Sequence, residues 1–436
     1  MLASKLTFDH IPSLTMHSSV PPQIPGVQIP HEDAQVIKED VAGLLERDNL
    51  RFPGAQPVSF AREHIAELQK EEYFMCEKTD GIRCLLFLYL REDPIHGFVP
   101  ATILIDRKNH YYDVQPPLRF PYHQDPDDPG KFLYNTILDG ELVHDMMRGQ
   151  REPRLIYYVF DCLVLDGKNL TTRSLDKRIG HLKELLFKPY YRWRSQHGGQ
   201  PMSPEPFAIK EKPLYPPYSL KEMFDNVLPN LPHGNDGLVF TCKRTPYRFG
   251  TDPNILKWKP PRENTIDFKF RLGEFPLYDP QDGEEGLVED YHARPDRITL
   301  LVLHNNNDYQ PFAEMYFTDE DWEMFKSLNQ QLDGRIIECY RDDHGRWTFK
   351  REEDGTPRWR DDKKDANHIS TVNKVLESIE DPVTEEDLLA AAGSIRSAIY
   401  RLRAEEQELA KRKIEEVADR EAKKRRVSET NDVGGP

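Results

Sequence analysis

Two apolar runs of strand length, Tyr73-Phe74-Met75-Cys76 and Cys84-Leu85-Leu86-Phe87-Leu88, flank the charged stretch Glu77-Lys78-Thr79-Asp80-Gly81-Ile82-Arg83. Runs this short read as buried strands, so the pattern predicts a β-rich core with a lysine at the turn where two strands meet. No apolar run reaches the roughly 18 residues that a membrane-spanning helix needs. The lysine, Lys78, is a candidate nucleophile. An amine attacking phosphorus needs its lone pair free, so its ordinary pKa of about 10.4 has to be lowered by cations, a metal or burial. Gly81 allows backbone and ligand to approach closely, and Arg83 supplies a fixed cationic fork. Taken alone, the segment also fits a plain Asp-Gly hairpin with a solvated lysine.

Further segments follow in order: Leu138-Asp139-Gly140-Glu141-Leu142-Val143, Val159-Phe160-Asp161, Asn235-Asp236-Gly237-Leu238-Val239-Phe240, Leu256-Lys257-Trp258-Lys259-Pro260, and Arg360-Asp361-Asp362-Lys363 with Asn367. Each has an ordinary reading by itself: Asp-Gly turns, a core phenylalanine, the solvent face of an edge strand. As an ordered set they resemble the covalent nucleotidyltransferases, the superfamily of mRNA capping enzymes and polynucleotide ligases. Phe52-Pro53-Gly54-Ala55-Gln56-Pro57-Val58-Ser59-Phe60, the form of the lysine motif and the terminal R-x-D-K look like the guanylyltransferase of mRNA capping in its fungal form.

The resemblance implies an α+β fold: a ligase-type, ATP-grasp-like nucleotidyltransferase domain followed by a C-terminal OB-fold. It also implies two-step chemistry. Lys78 attacks the α-phosphate of GTP, releasing pyrophosphate and leaving a lysyl-N-GMP adduct; the 5′-diphosphate end of an RNA then takes the GMP and becomes a GpppN cap. In such enzymes Arg83 and Arg107 contact the ribose, Glu141 sits near sugar and metal, and Phe160 stacks on guanine. Guanine O6 wants a donor, which Lys212, in preference to Lys210, offers. Asp236 is the candidate ligand for Mg2+ or Mn2+, a hard cation that one or two carboxylates suffice to hold. Lys257 and Lys259 alternate along a strand, so both face the same way, toward the α-phosphate, where one can lower the pKa of Lys78 by like-charge repulsion. Arg360, Asp362 and Lys363 act on the pyrophosphate only if the OB domain closes over the nucleotide. The insertion Glu352-Glu353-Asp354-Gly355-Thr356-Pro357 before that motif leaves open whether Arg358 or Arg360 faces the pyrophosphate.

Two other functions share these residues: an ATP-dependent polynucleotide ligase, and a transcription-coupled scaffold that has lost activity. No C-x5-R phosphatase signature precedes Phe52, so a separate RNA 5′-triphosphatase is an expected partner, with the 5′-diphosphate RNA and the phosphorylated tail of RNA polymerase II. A nuclear location follows from the same resemblance.

The 436 residues predict two or three domains, and 38% hydrophobic content suffices for ordinary cores. A formal charge of −16 argues against a broadly basic duplex-binding surface, though cations can still concentrate in one cleft. The cysteines Cys76, Cys84, Cys162, Cys242 and Cys339 lack C-x-x-C spacing and read as reduced core thiols. The start of the chain has no basic region followed by an apolar core, so it is not read as a secretory signal. Read together with the resemblance, periodicity and composition divide the chain into a partly disordered lead at 1–50 with a helix at 34–47, the nucleotidyltransferase domain at 51–261, the OB-fold at 262–370, a helical region at 371–426 in which Pro382 and Thr384 open a long helix from about 385, and a disordered tail at 427–436. Lys423-Lys424-Arg425-Arg426 suits either a solvated helix or a nuclear import signal.

Overall fold

A computed structural model describes residues 22–146, 152–279, 286–352 and 354–432, with side chains as far as Glu416 in the last helix. The chain divides into two compact units, with boundaries at 58/59, 62/63, 257/258 and 387/388. The first unit contains β1 (Val27–Gln28), β2 (Ala55–Ser59), β3 (Tyr73–Thr79), β4 (Ile82–Asp93), β5 (Gly97–Asp106), β6 (Tyr111–Asp113), β7 (Thr136–Asp145), β8 (Arg154–Leu165), β9 (Lys168–Asn169), β10 (Ala208–Glu211), β11 (Asn235–Cys242) and β12 (Gly250–Trp258). An eight-stranded sheet runs β1-β6-β5-β4-β7-β8-β10 with β9 on β8, and a four-stranded sheet runs β2-β12-β11-β3.

The centre of the large sheet is β4, whose side chains alternate between two cores. Cys84, Leu86 and Leu88 face a cluster containing Leu175, Ile179 and Leu182 of a helix, α3 (Leu175–Leu182). Leu85, Phe87 and Tyr89 face another that receives Ile37 and Val41 of α1 (Ala34–Leu44). Burial on both faces explains the continuous apolar run, and each such side chain stabilises the fold by roughly 1.5–3 kcal/mol. α3 is fastened to β8 by Arg178, which forks onto Asp161 with both contacts at 2.8 Å.

Three expectations change here. β3 and β4 do not form a hairpin: β3 is the edge of the small sheet and pairs with β11, while β4 pairs with β5 and β7. Period-two alternation identifies strands but not their partners, and the Asp80-Gly81 turn carries the chain from one sheet to the other. Residues 24–45 are not a lead outside the domain, because β1 pairs with β6 and α1 closes one core; residues 1–21 lie outside the described part. The helical region 371–426 divides at Pro382, as the sequence predicts. Residues 369–380 form a helix whose Val372 belongs to the core of the second unit, and Pro382 interrupts before the last helix, 385–432. That last helix runs past 426 to Asp432, since no glycine or proline occurs between Gly393 and Gly434, so the expected tail is helical as far as the description goes. Its first half returns to the first unit: Leu388, Ile395 and Ile399 are buried, and Arg403 Nε lies 2.7 Å from Glu72 Oε1, whose other oxygen takes Lys243 at 2.6 Å.

The second unit holds β13 (Thr265–Leu272), β14 (Leu277–Tyr278), β15 (Val288–Glu289), β16 (Ile298–Asn305), β17 (Asp308–Glu314), β18 (Ile336–Arg341) and β19 (Trp347–Phe349). Five of them order as β17-β16-β13-β18-β19, and a bridge between Met315 and Trp347 joins the two ends into a small barrel, the OB-fold. The T-x-x-D signal forms a capping box, Thr318 and Asp321 each accepting from the other's backbone N–H, at the start of the helix Asp319–Ser327.

Candidate active site

Lys78 stands at the end of the edge strand β3, with its side chain about a quarter exposed. The neighbouring strand β11 carries a bulge between Asn235 and Leu238, opposite Lys78. An extra residue in a bulge is re-aimed out of the ladder, and here it brings Asp236 Oδ1 to 2.6 Å from Lys78 Nζ. Gly237 follows at φ 138°, a conformation that favours glycine. Neither Asp236-Gly237 nor Asp139-Gly140 is a hairpin turn; both lie inside strands.

Arg83 opens β4 and pairs in register with Glu141 of β7. Its guanidinium forks onto Asp139, at 3.0 and 2.6 Å, and donates to the Ala55 carbonyl. Tyr247 donates to the same Asp139 at 2.7 Å and accepts from the Ala55 N–H at 2.8 Å. Asp139 and Tyr247 therefore fix the fork, and the proline-rich segment around Ala55 is its backbone support. A second bulge, between Asp139 and Gly140 of β7, leaves Phe160 of β8 as the unpaired residue, and the Arg83 guanidinium lies 5.4 Å from its ring centroid. Arg107, exposed on the turn after β5, has its pKa lowered by desolvation and then by repulsion from Arg83, so the two arginines are neighbours.

Burial pushes the Glu141 carboxyl up; Lys212, Lys78 and Arg83 pull it down, and Asp236 raises it again. Glu141 and Asp236 thus lie within electrostatic reach of each other and of Lys78, a hard-oxygen pair suited to a magnesium-like cation that keeps most of its waters. Among the described residues no group of three or more His, Cys, Asp or Glu is arranged to hold a metal.

Lys212 follows β10 and is buried. Its ammonium pairs with Glu77 at 3.0 Å and contacts the Thr79 hydroxyl, the two side chains that flank Lys78 in sequence. Desolvation works against its charge, but Glu77 and its neighbours hold its pKa above the ordinary lysine value. Lys210 is more exposed and reaches Asp145 at 3.2 Å. The two lysines therefore differ sharply in setting, one sealed against β3 and the other at the surface.

Lys257 lies on β12, the strand beyond β11 from Lys78 in the small sheet. Lys259, Arg360, Asp362 and Lys363 belong to the second unit. There Arg360 forks onto Asp362 at 2.9 and 3.0 Å and also reaches Asp267 at 3.2 Å and Glu338 at 3.5 Å, while Lys363 pairs with Asp267. Arg358 turns instead to Glu352 of the inserted loop, at 2.9 Å. Sequence reasoning missed Asp139, Tyr247, Glu77 and Asp267. Asp139 and Glu77 had local signals, their places inside the Leu138–Val143 and Glu77–Arg83 segments, and Tyr247 and Asp267 had none.

Gly81 has a structural duty as well. A Cβ there would run into the Leu142 carbonyl oxygen on β7 and stand 3.0 Å from Glu141 Cγ. Gly81→Ala is expected to move β7 away from the turn, cutting adduct formation from a labelled nucleoside triphosphate by roughly 100-fold or more, the order that a misplacement of about 1 Å costs. Adduct yield at the wild-type rate would show that the crossing tolerates the methyl group.

Residues 21–261 match the family described as mRNA capping enzyme, catalytic domain, and residues 263–389 match mRNA capping enzyme, C-terminal domain. The chain is similar to the mRNA-capping enzyme subunit alpha of Schizosaccharomyces pombe, with 43% identity over 92% of this chain and 94% of that one. It is 36% identical to the protein of the same name from Saccharomyces cerevisiae, covering 88% of each. Similarity to the mRNA-capping enzyme of Danio rerio is 30% over 79% of this chain and half of that one.

Proposed function

The chain belongs to the mRNA capping enzyme family, and from that premise we propose that it is an mRNA guanylyltransferase acting through a GMP adduct on Lys78. The observation that supports this most directly is the Lys78 amine held 2.6 Å from Asp236 at the crossing between two sheets, with Glu141, Lys212 and Arg83 around it. In the first step Lys78 Nζ, having given up a proton, forms a bond to the α-phosphorus of GTP. The bond from that phosphorus to the bridging oxygen breaks, and pyrophosphate leaves. Asp236, in contact with Nζ, holds the amine at the attack position, and the protons released pass to solvent. In the second step an oxygen of the RNA β-phosphate bonds to the same phosphorus, the P–N bond breaks as the nitrogen takes up a proton from solvent, and the amine is restored as GpppN forms.

Phe160, freed from its ladder by the bulge, is the proposed stacking face for the base, and Arg83, Arg107 and Glu141 are the proposed ribose contacts. Lys212, rather than Lys210, is the proposed donor to guanine O6, a role in which it would exchange its contact with Thr79 for the base. Lys257 and Lys259 are the proposed α-phosphate contacts. Asp236 and Glu141 would hold Mg2+ or Mn2+, which neutralises phosphate charge when bound. The expected partners are 5′-diphosphate RNA, a separate RNA 5′-triphosphatase, in keeping with relatives named as subunit alpha, and the phosphorylated tail of RNA polymerase II, all in the nucleus. Incubation with labelled GTP or ATP followed by denaturing electrophoresis tests the reading. A label retained from GTP alone supports it; a label from ATP alone would make the chain a ligase, and none from either an inactive scaffold.

Arg360 and Lys363 are proposed to orient the leaving pyrophosphate, which exists only in the first step. Lys363→Ala is therefore expected to lose adduct formation from GTP by roughly 100-fold, while GMP transfer from a preformed adduct to RNA keeps most of its rate. Equal losses in single turnovers of both half-reactions would assign Lys363 to the fold or to RNA.

A further inference from the structure

The loop before β11 is fastened to both sheets of the first unit. Its Pro232 carbonyl accepts from Met146 N–H, just beyond β7, at 2.6 Å, and its Gly234 carbonyl accepts from Asp80 N–H, in the turn after Lys78, at 3.0 Å. Between these latches lies His233, only 2% exposed. Its Nδ1 is 2.8 Å from Asp145 of β7, and its Nε2 is 3.6 Å from Glu77 of β3, the residue before Lys78. Both carboxylates are buried as deeply as the imidazole.

The other groups around the ring are accounted for. Tyr158 of β8 stands edge-on at 5.3 Å and donates its hydroxyl to Asp145 at 2.8 Å. From the β10 side Lys210 reaches Asp145 and Lys212 reaches Glu77. At 3.6 Å the Nε2 contact to Glu77 lies in ion-pair range, and Nε2 makes no hydrogen bond, so charge is what it contributes. A neutral imidazole has one N–H and can serve one carboxylate while turning a lone pair to the other; an imidazolium serves both.

We propose that His233 is a positioning residue for Lys78: its imidazolium ties Asp145 of the large sheet to Glu77 of the nucleophile strand, and adduct formation weakens when the imidazole loses its proton. The idea rests on the reading of Lys78 as the adduct-forming lysine. Burial opposes the charged ring, yet Asp145 and Glu77 outweigh it and raise its pKa above the ordinary histidine value. The sign follows. The bridge is present below that raised pKa and is lost as pH climbs through it, above the ordinary value of about 6.5.

His233→Gln removes the titrating group while Glu77 keeps Lys212 and Asp145 keeps Lys210 and Tyr158, so the variant retains a partner for each buried carboxylate. In single turnovers with labelled GTP and metal across about pH 6 to 9, the variant is expected to be roughly tenfold slower than wild type at the acid end, with the ratio approaching one at the alkaline end as wild type loses its bridge. A ratio that is flat across the range, or equal to one throughout, overturns the proposal. If the variant does not fold, the imidazole of wild-type His233 is titrated by NMR: a ring charged at pH 6.5 whose titration coincides with a break in the wild-type adduct rate supports the bridge, and a ring already neutral at pH 6, or no coincident break, overturns it. Failure of the adduct reading is separate, since it would appear as no wild-type adduct or as an adduct surviving loss of Lys78.

Discussion

Lys78→Ala is expected to form no covalent nucleotide adduct, a loss on the order of 10^4-fold or more, the scale seen when a covalent nucleophile is removed. Lys212, the amine packed against the strand that carries Lys78, is sealed between Glu77 and Thr79 on the buried side of β3, where a phosphate cannot reach it without breaking an ion pair. Lys78→Arg is expected to fail equally, because a guanidinium keeps its proton and its charge but offers no nucleophilic lone pair. Both variants should melt within a few degrees of wild type, since the Lys78 side chain and Asp236 are partly exposed and such a pair contributes only about 1 kcal/mol or less. Intact-protein mass after incubation with GTP and metal gives the answer. A GMP adduct on either variant would sink the assignment of Lys78.

Asp139→Ala is expected to be the most damaging change to the fold around the site. Asp139 is fully buried and receives two bonds from Arg83 and one from Tyr247. Removing it strands a guanidinium that retains only the Ala55 carbonyl and the Tyr247 hydroxyl, and breaking a buried pair in this one-sided way costs about 3–5 kcal/mol. For a unit of this size that lowers the melting temperature by roughly 10 °C. Tyr247→Phe removes one donor and leaves the ion pair intact, so it should cost only about 1 kcal/mol. Calorimetric scans of the two variants decide the matter. Equal and small shifts would mean that Arg83 finds another counter-charge.

How much of this was legible in the chain depends on the range of the interaction. Strand positions, the cap at Thr318 and the approach of motif residues to one another follow from local alternation and from the ordered set of motifs. The partner of β3 does not, because alternation of buried and exposed side chains is the same whether a strand pairs with its neighbour in sequence or with β11, about 160 residues on. The Arg83 fork was visible as a charge but not as a buried one: Asp139 and Tyr247 stand 56 and 164 positions away, and nothing near Arg83 announces them. Lys212 was chosen as a base-reading donor with no hint of Glu77, since lysines are rarely so deeply buried and the burial comes from β3 packing over it. His233 sat unnoticed for the same reason: its two carboxylates come from different sheets.

The return of the last helix to the first unit has a consequence for how the protein is made. Glu72 is translated 331 positions before Arg403, which at ribosomal rates of about 5–20 residues per second is a delay of roughly 20–60 s. During that interval Lys243 arrives to share its charge, but the surface that receives Leu388, Ile395 and Ile399 stays open to solvent on the nascent chain. The nucleotide-binding unit is therefore sealed only after the OB-fold has been translated, and the interval of vulnerability spans the unit's own later strands as well as that domain.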